Sequence, residues 1–189
     1  CTFTIQGLWG GPFLREIHGF TRIEAGNVLF AAVVSYQIGI VMFGPLDRVL
    51  DTRKWIAFSG TSVVAALIAV LAIWPGAPHW VPVAIIVGIG FLSATSTMVM
   101  THARGIFPDR LIGRGMAVVN TAVMLGVACM QSLSGVILGW FPTLADGSRP
   151  EIAYRTLFGI LACVLAVALA IYGQSPDVKP SDEMKRKNA

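Results

Sequence analysis

Three groups of side chains in this sequence have the types and spacing to handle a polar solute, and none of them is a catalytic set. Gly90, Ser93, Thr97 and Thr101 recur at three- or four-residue intervals and share one face of a helix. Asn120 and Gln131 are eleven residues apart, almost three helical turns, with Ser134 close to the same stripe. Thr2, Gln6, Trp9 and Phe13 line up in the same way near the start, and Gln37 adds a further amide. Uncharged donors and acceptors on facing helices suit a pathway for a polar solute. A single Ser or Thr in such a place more often bonds a neighbouring helix, typically for about 1 kcal/mol or less. A buried amide is a stronger sign, because it brings several hydrogen-bonding positions to satisfy.

The charged groups are placed differently. Asp47 and Asp109 fall in loops at one end, and Glu16, Glu24, Asp146 and Glu151 in loops at the other. No carboxylate is expected deep inside an apolar stretch, where proton carriers of pumps and transporters are usually found. A proton carrier, if there is one, is therefore expected outside this chain. His102 is read as a snorkelling interfacial residue beside Arg104, with a relay as the alternative. Arg155 is read as snorkelling too, with an anion-attracting gate as its alternative. Cys1, Cys129 and Cys163 are odd in number and match neither a zinc site nor a disulfide framework. They are expected to be buried free thiols.

These groups need membrane helices to position them. The chain is 55% apolar and 13% charged, against roughly a quarter charged in soluble domains. Its mean hydropathy is +0.72. A helix needs about 20 apolar residues to cross the hydrocarbon core. The qualifying stretches are residues 1–14, 25–46, 55–74, 81–103, 113–140 and 153–173. The first is short and the chain opens inside it, so this span is expected to begin upstream. It carries no basic leader or cleavage site, so this run is not expected to be a signal peptide. The net charge of +4 does not indicate nucleic acid, because the basic residues lie in short loops that suit anionic lipid headgroups.

Loop charge sets an orientation. Arg48, Arg53, Lys54, Arg104, Arg110, Arg114, Lys179, Lys185, Arg186 and Lys187 make ten of the fourteen basic residues, all at one end. Positive loops face the cytoplasm, so the C-terminus is expected there. Trp74, Trp80 and Trp140 fall at expected interfaces. Residues 1–174 are read as the bundle and 175–189 as a disordered cytoplasmic tail. Polarity is uneven among the spans. The third and sixth are plain, as expected if two triplets repeat with equivalent last helices. On the fifth span Ala117, Thr121, Ala128, Ser132, Gly135 and Gly139 form a small-residue stripe suited to close packing.

Two loops carry a family resemblance. Gly44-Pro45-Leu46-Asp47-Arg48-Val49-Leu50-Asp51-Thr52-Arg53-Lys54 resembles the Asp-Arg loop motif of the major facilitator superfamily, with one residue fewer after the leading Gly and Thr52 before the basic pair. Phe107-Pro108-Asp109-Arg110-Leu111-Ile112-Gly113-Arg114-Gly115, then Asn120, Gly126, Gln131 and Gly135, resembles the tenth-to-eleventh helix region of bacterial members. Gln6 to Pro12 resembles the end of their seventh helix. The resemblance implies an all-α membrane fold of two three-helix repeats, half of a twelve-helix transporter whose halves rock about a midplane site. It makes Asp47, Arg48, Arg53, Lys54, Arg110 and Arg114 candidates for loop anchoring or gating. Gln6, Trp9, Gln37, Ser93, Thr97, Asn120 and Gln131 are the candidates for the solute pathway.

Other classes fit less well. Ser132-Leu133-Ser134-Gly135 lacks the leading Gly of a rhomboid-type protease, and no His follows His102. No paired Asn-Pro-Ala signature or filter-like sequence supports a channel. The expected function is secondary transport of a small polar or anionic solute, proton-coupled, with no enzyme activity, cofactor or metal. A non-transporting sensor or assembly protein on the same scaffold stays open. The expected partners are the bilayer, the solute and the other half of the transporter; the expected location is the plasma membrane, the inner membrane in a bacterium.

Overall fold

The computed structural model describes residues 1–181 apart from Pro75 and Asp146. Helices account for every regular element among them. The first span is a helical run in three parts: α1 (Thr2–Thr4), a π turn (Ile5–Trp9) and α2 (Gly10–His18). Then come α3 (Arg22–Phe43), the short α4 (Leu46–Val49), α5 (Lys54–Ile73), α6 (Trp80–Ser93), α7 (Ser96–Ile106), α8 (Ile112–Gly139) and α9 (Glu151–Tyr172). Five stretches are long and apolar enough to cross a membrane: Arg22–Val49, Lys54–Ile73, Trp80–Ile106, Ile112–Gly139 and Glu151–Tyr172. The first span stays shorter, although its helix continues past the expected end at residue 14 to His18.

Local chemistry explains the breaks. Pro12 has no N–H to give the carbonyl four residues back, and the turn before it widens so that Gly10 N–H reaches Ile5 O. A β-carbon on Gly10 would lie 2.8 Å from that same oxygen, so the wide turn requires glycine there. Gly19, left-handed at φ 69°, stops α2. Thr21 then opens α3 through a capping box: its hydroxyl accepts from Glu24 N–H at 3.2 Å, and Glu24 Oε2 accepts from Thr21 N–H at 2.8 Å.

The packing follows an exchange pattern. The second span, α3, lies against α6, the start of the fourth; the fifth, α8, meets the first at α1; the third and sixth, α5 and α9, lie along each other. Each triplet thus places its second helix on the other triplet's first. This is what two related three-helix units would do, and it carries the all-α repeat architecture. Glycines make the α3–α6 approach close. A β-carbon on Gly90 would run into Ala32 O, and one on Gly39 into Phe91 O. Ser35 Oγ bridges the same pair by donating to Val87 O at 2.9 Å. Small residues and hydroxyls therefore hold these helices, as expected where lipid removes the hydrophobic drive.

The main core sits between the first, third, fourth and sixth spans and the C-terminal end of the fifth. Phe13 packs edge-on to Phe158 with ring centroids 5.0 Å apart, and Tyr154 lies 5.6 Å away. Ile68, Ile89, Leu138 and Leu161 close around them. Cys129 and Cys163 do not join a core: both thiols are exposed, on helix faces that no described residue covers, while Cys1 is half-buried. Buried thiols were expected there; the faces in question point away from this bundle.

Candidate solute pathway

The polar seam of the structure lies where the first span meets α8. Trp9 leaves the π turn with its indole N–H donating to Ser134 Oγ at 2.7 Å, and the Ser134 hydroxyl donates to Gln131 O at 2.6 Å. Ser134 is fully buried and Gln131 half-buried. Arg149 lies over the Trp9 ring, 5.9 Å from its centroid, and its guanidinium reaches Leu138 O. Arg149 N–H and Tyr154 O–H both donate to Glu16 Oε2, each at 2.9 Å. A polar path thus runs from Glu16, at one end of the bundle, to the backbone carbonyl of Gln131 in the second half of α8.

Two groups beside this path are unsatisfied. Gln6 Nε2 and Thr4 Oγ1 are buried with no hydrogen-bond partner among the described residues. An unpaired buried donor costs about 1–3 kcal/mol. Natural folds keep such groups where something else pairs with them.

The remaining sequence candidates separate into those the fold gathers and those it leaves apart. The fourth-span face is interrupted. Ala94 and Thr95 bond back to Phe91 O and Leu92 O in a tight turn, so Ser93 ends α6 while Thr97 and Thr101 belong to α7. The hydroxyls of this run compete for backbone: Ser93 donates to Ile89 O, Thr95 to Leu92 O and Thr97 to Ala94 O. Ser93 and Thr95 face a small cavity of about 110 Å³ that also takes in Thr2, Thr61 and Ser96. Gln37 on α3 and Asn120 on α8 are exposed and make no side-chain hydrogen bond to a described residue.

The loop candidates also divide. Arg53 Nε and Asp47 Oδ2 pair at 3.2 Å, with both side chains about nine-tenths buried. Lys54 Nζ donates to Gly173 O at 2.7 Å and is buried. Arg48 is exposed beside a cleft of about 530 Å³ lined by Gly44, Asp47, Arg53, Met98 and Thr101. Arg110 and Arg114 are exposed and join none of these contacts.

His102 differs from its sequence reading. It does not snorkel: it is 1% exposed, with Nε2 2.8 Å from Pro176 O and Nδ1 2.9 Å from Tyr172 Oη. Both ring nitrogens are thereby occupied. Arg155 donates from Nε to Ala72 O at 3.0 Å, at the end of α5. Sequence reasoning missed Glu16, Arg149 and Tyr154 as one cluster, because their partners are more than a hundred residues apart.

The profile that describes the Major Facilitator Superfamily matches residues 2–188. The chain belongs to the Major Facilitator Superfamily. It is a multi-pass membrane protein of a transporter family, and transport rather than catalysis is that family's work. No curated protein and no solved structure matches it significantly. Membership in this superfamily gives the Gln6–Trp9–Gln131–Ser134 seam its context as a candidate place for solute contact.

Proposed function

We propose that this chain is the C-terminal six-span half of a secondary active transporter, and that the seam between the first span and α8 contributes to its solute site. The observation that carries the reading is the buried, unpaired Nε2 of Gln6, in the same π turn as the Trp9 that bonds Ser134. A bound polar solute would give that amide its missing acceptor. Beyond Arg149 and Glu16 at its outer end the lining is uncharged, which favours a small polar or anionic solute.

Two further observations support a half-transporter. Of the five candidate spans, Arg22–Val49 and Ile112–Gly139 are the least covered, and they carry Gln37 and Asn120 on open faces. A second bundle rocking against those faces would close the pathway between the halves. The basic loops gather at one end, and this charge bias argues for a cytoplasmic C-terminus. Proton coupling would draw on a carboxylate outside this chain, since Glu24, Asp47 and Glu151 lie at the ends of their spans and none lies at mid-depth. Bacterial origin and an inner-membrane location rest on loop resemblance.

The test is flux through the full-length protein. Gln6→Ala, Trp9→Ala and Gln131→Ala should each cut uptake or efflux by about tenfold while leaving membrane expression intact. Wild-type flux in all three variants refutes the pathway assignment. Absence of flux in the wild type, across polar and anionic solutes, points instead to a non-transporting sensor.

A further inference from the structure

Of the tail expected at 175–189, residues 182–189 lie outside the described residues; residues 173–181 lie along the basic end of the bundle and are tied to it at several points. Helix α5 begins at Lys54, and Arg53, its cap residue, supplies no side-chain cap. Thr52 Oγ1 accepts from Trp55 N–H at 3.3 Å, and a second acceptor comes from far along the chain. Asp177 Oδ1 accepts from Lys54 N–H at 3.3 Å, and Oδ2 accepts from Thr52 O–H at 2.7 Å. A carboxylate thus sits at the positive end of α5. Lys54 returns the contact, placing its ammonium on Gly173 O at the negative end of α9. Two antiparallel helices exchange caps.

The rest of the segment is pinned the same way. Pro176 O is held by His102, whose other nitrogen meets Tyr172. Ser181 donates twice to Asp51, from its backbone N–H at 2.9 Å and its hydroxyl at 2.7 Å. Asp51 holds a left-handed backbone, φ 47°, that costs a non-glycine residue energy. Val178 lies so close to Gly105 that a β-carbon there would sit 2.7 Å from its Cγ1; the same β-carbon would be 3.5 Å from Arg53 Nη1. Within loop 47–54, residues 50–54 are therefore held by Asp47 of α4, by the α7 face at Gly105 and by this segment together.

We propose that Gly173–Ser181 is a clasp whose docking and the ordering of loop 47–54 form one equilibrium, with Asp177 as the positioning residue. If the clasp orders the loop, the loop must order the clasp to the same extent. The proposal stands on the geometry of this end and not on the transport reading, so flux does not decide it.

Amide hydrogen exchange on the full-length protein in lipid nanodiscs tests it. Asp177→Ala should speed exchange at least about tenfold across 51–54 as well as 175–181, leaving Trp80–Ser93 unchanged. In the reverse direction, Asp47→Asn should speed exchange across 175–181. Faster exchange confined to 175–181 in Asp177→Ala, or an unmoved 175–181 in Asp47→Asn, overturns the proposal. If Asp177→Ala unfolds the protein and Trp80–Ser93 also exchanges, Ser181→Ala decides. That variant should speed 51–54 about fivefold, and no change there overturns the clasp.

Discussion

Two helix pairs in this bundle are built on opposite terms. The α5–α9 pair finishes its own business: Lys54 and Asp177 cap its basic end, Arg155 reaches Ala72 O at the other, and apolar side chains fill the space between. Helices α3 and α8 do not. Most of α8 between residues 117 and 136 is exposed, and α3 leaves Phe30, Val33, Ile38 and Val41 uncovered. In a membrane, apolar exposure is no fault, but exposed amides such as Gln37 and Asn120 are costly in lipid. The bundle is closed on itself along α5 and α9 and open along α3 and α8, where two amides have no described partner.

The largest expected difference comes from emptying the closed pair. Phe158→Ala removes a fully buried ring that packs on Phe13 and Tyr154. It should cost about 3–5 kcal/mol. Asn120→Ala should change stability by less than about 0.5 kcal/mol. Thermal melting of the full-length protein in detergent measures both. If Asn120→Ala proves as damaging as Phe158→Ala, α8 is packed on that face and the open reading fails.

A smaller difference separates two glycines. Gly90→Val pushes a side chain into Ala32 O at the α3–α6 crossing, where neither backbone can retreat without breaking the Ser35–Val87 bond. Overpacking of this kind costs about 1–3 kcal/mol. Gly126→Val, on the open face of α8, meets nothing within 4 Å and should be neutral for stability. Equal melting temperatures for the two variants would mean that the α3–α6 crossing is loose.

Much of this division was open to reading in the residues. The spans follow from apolar length, and the plain third and sixth segments are those that pack on each other as α5 and α9. The Asp47–Arg53 pair lies within one loop and was within reach as a candidate. What stayed hidden was non-local. His102 looked interfacial because its partners, Tyr172 and Pro176, lie some seventy residues on. Asp177 looked like tail composition because its partner is 123 residues upstream. Within the candidate pathway, Trp9 reaches the backbone of Gln131 through Ser134, a partner 125 residues away that no local pattern shows. Ser93 and Thr97 were expected on one continuous face, but a run of five small and hydroxyl residues bonded its own backbone and turned the helix.

The smallest expected effect concerns how the closed pair is fastened at its second end. Arg155 has two partners there: Ala72 O at 3.0 Å and Glu151, one turn earlier on the same helix, at 3.9 Å. Both side chains of the ion pair are close to half exposed. Such a pair is worth about 0.3–0.5 kcal/mol and fades with salt. The hydrogen bond to Ala72 occupies one of the last carbonyls of α5, which have no partner within their own helix, and an arginine there also meets the negative end of the dipole. Arg155→Met, which keeps the apolar stem, should therefore cost about 1 kcal/mol at any salt concentration. Glu151→Gln should cost less than half of that, and nothing in high salt. If the two variants lose the same stability and both losses vanish with salt, the fastening is the ion pair. The α5–α9 contact would then be capped at its basic end alone.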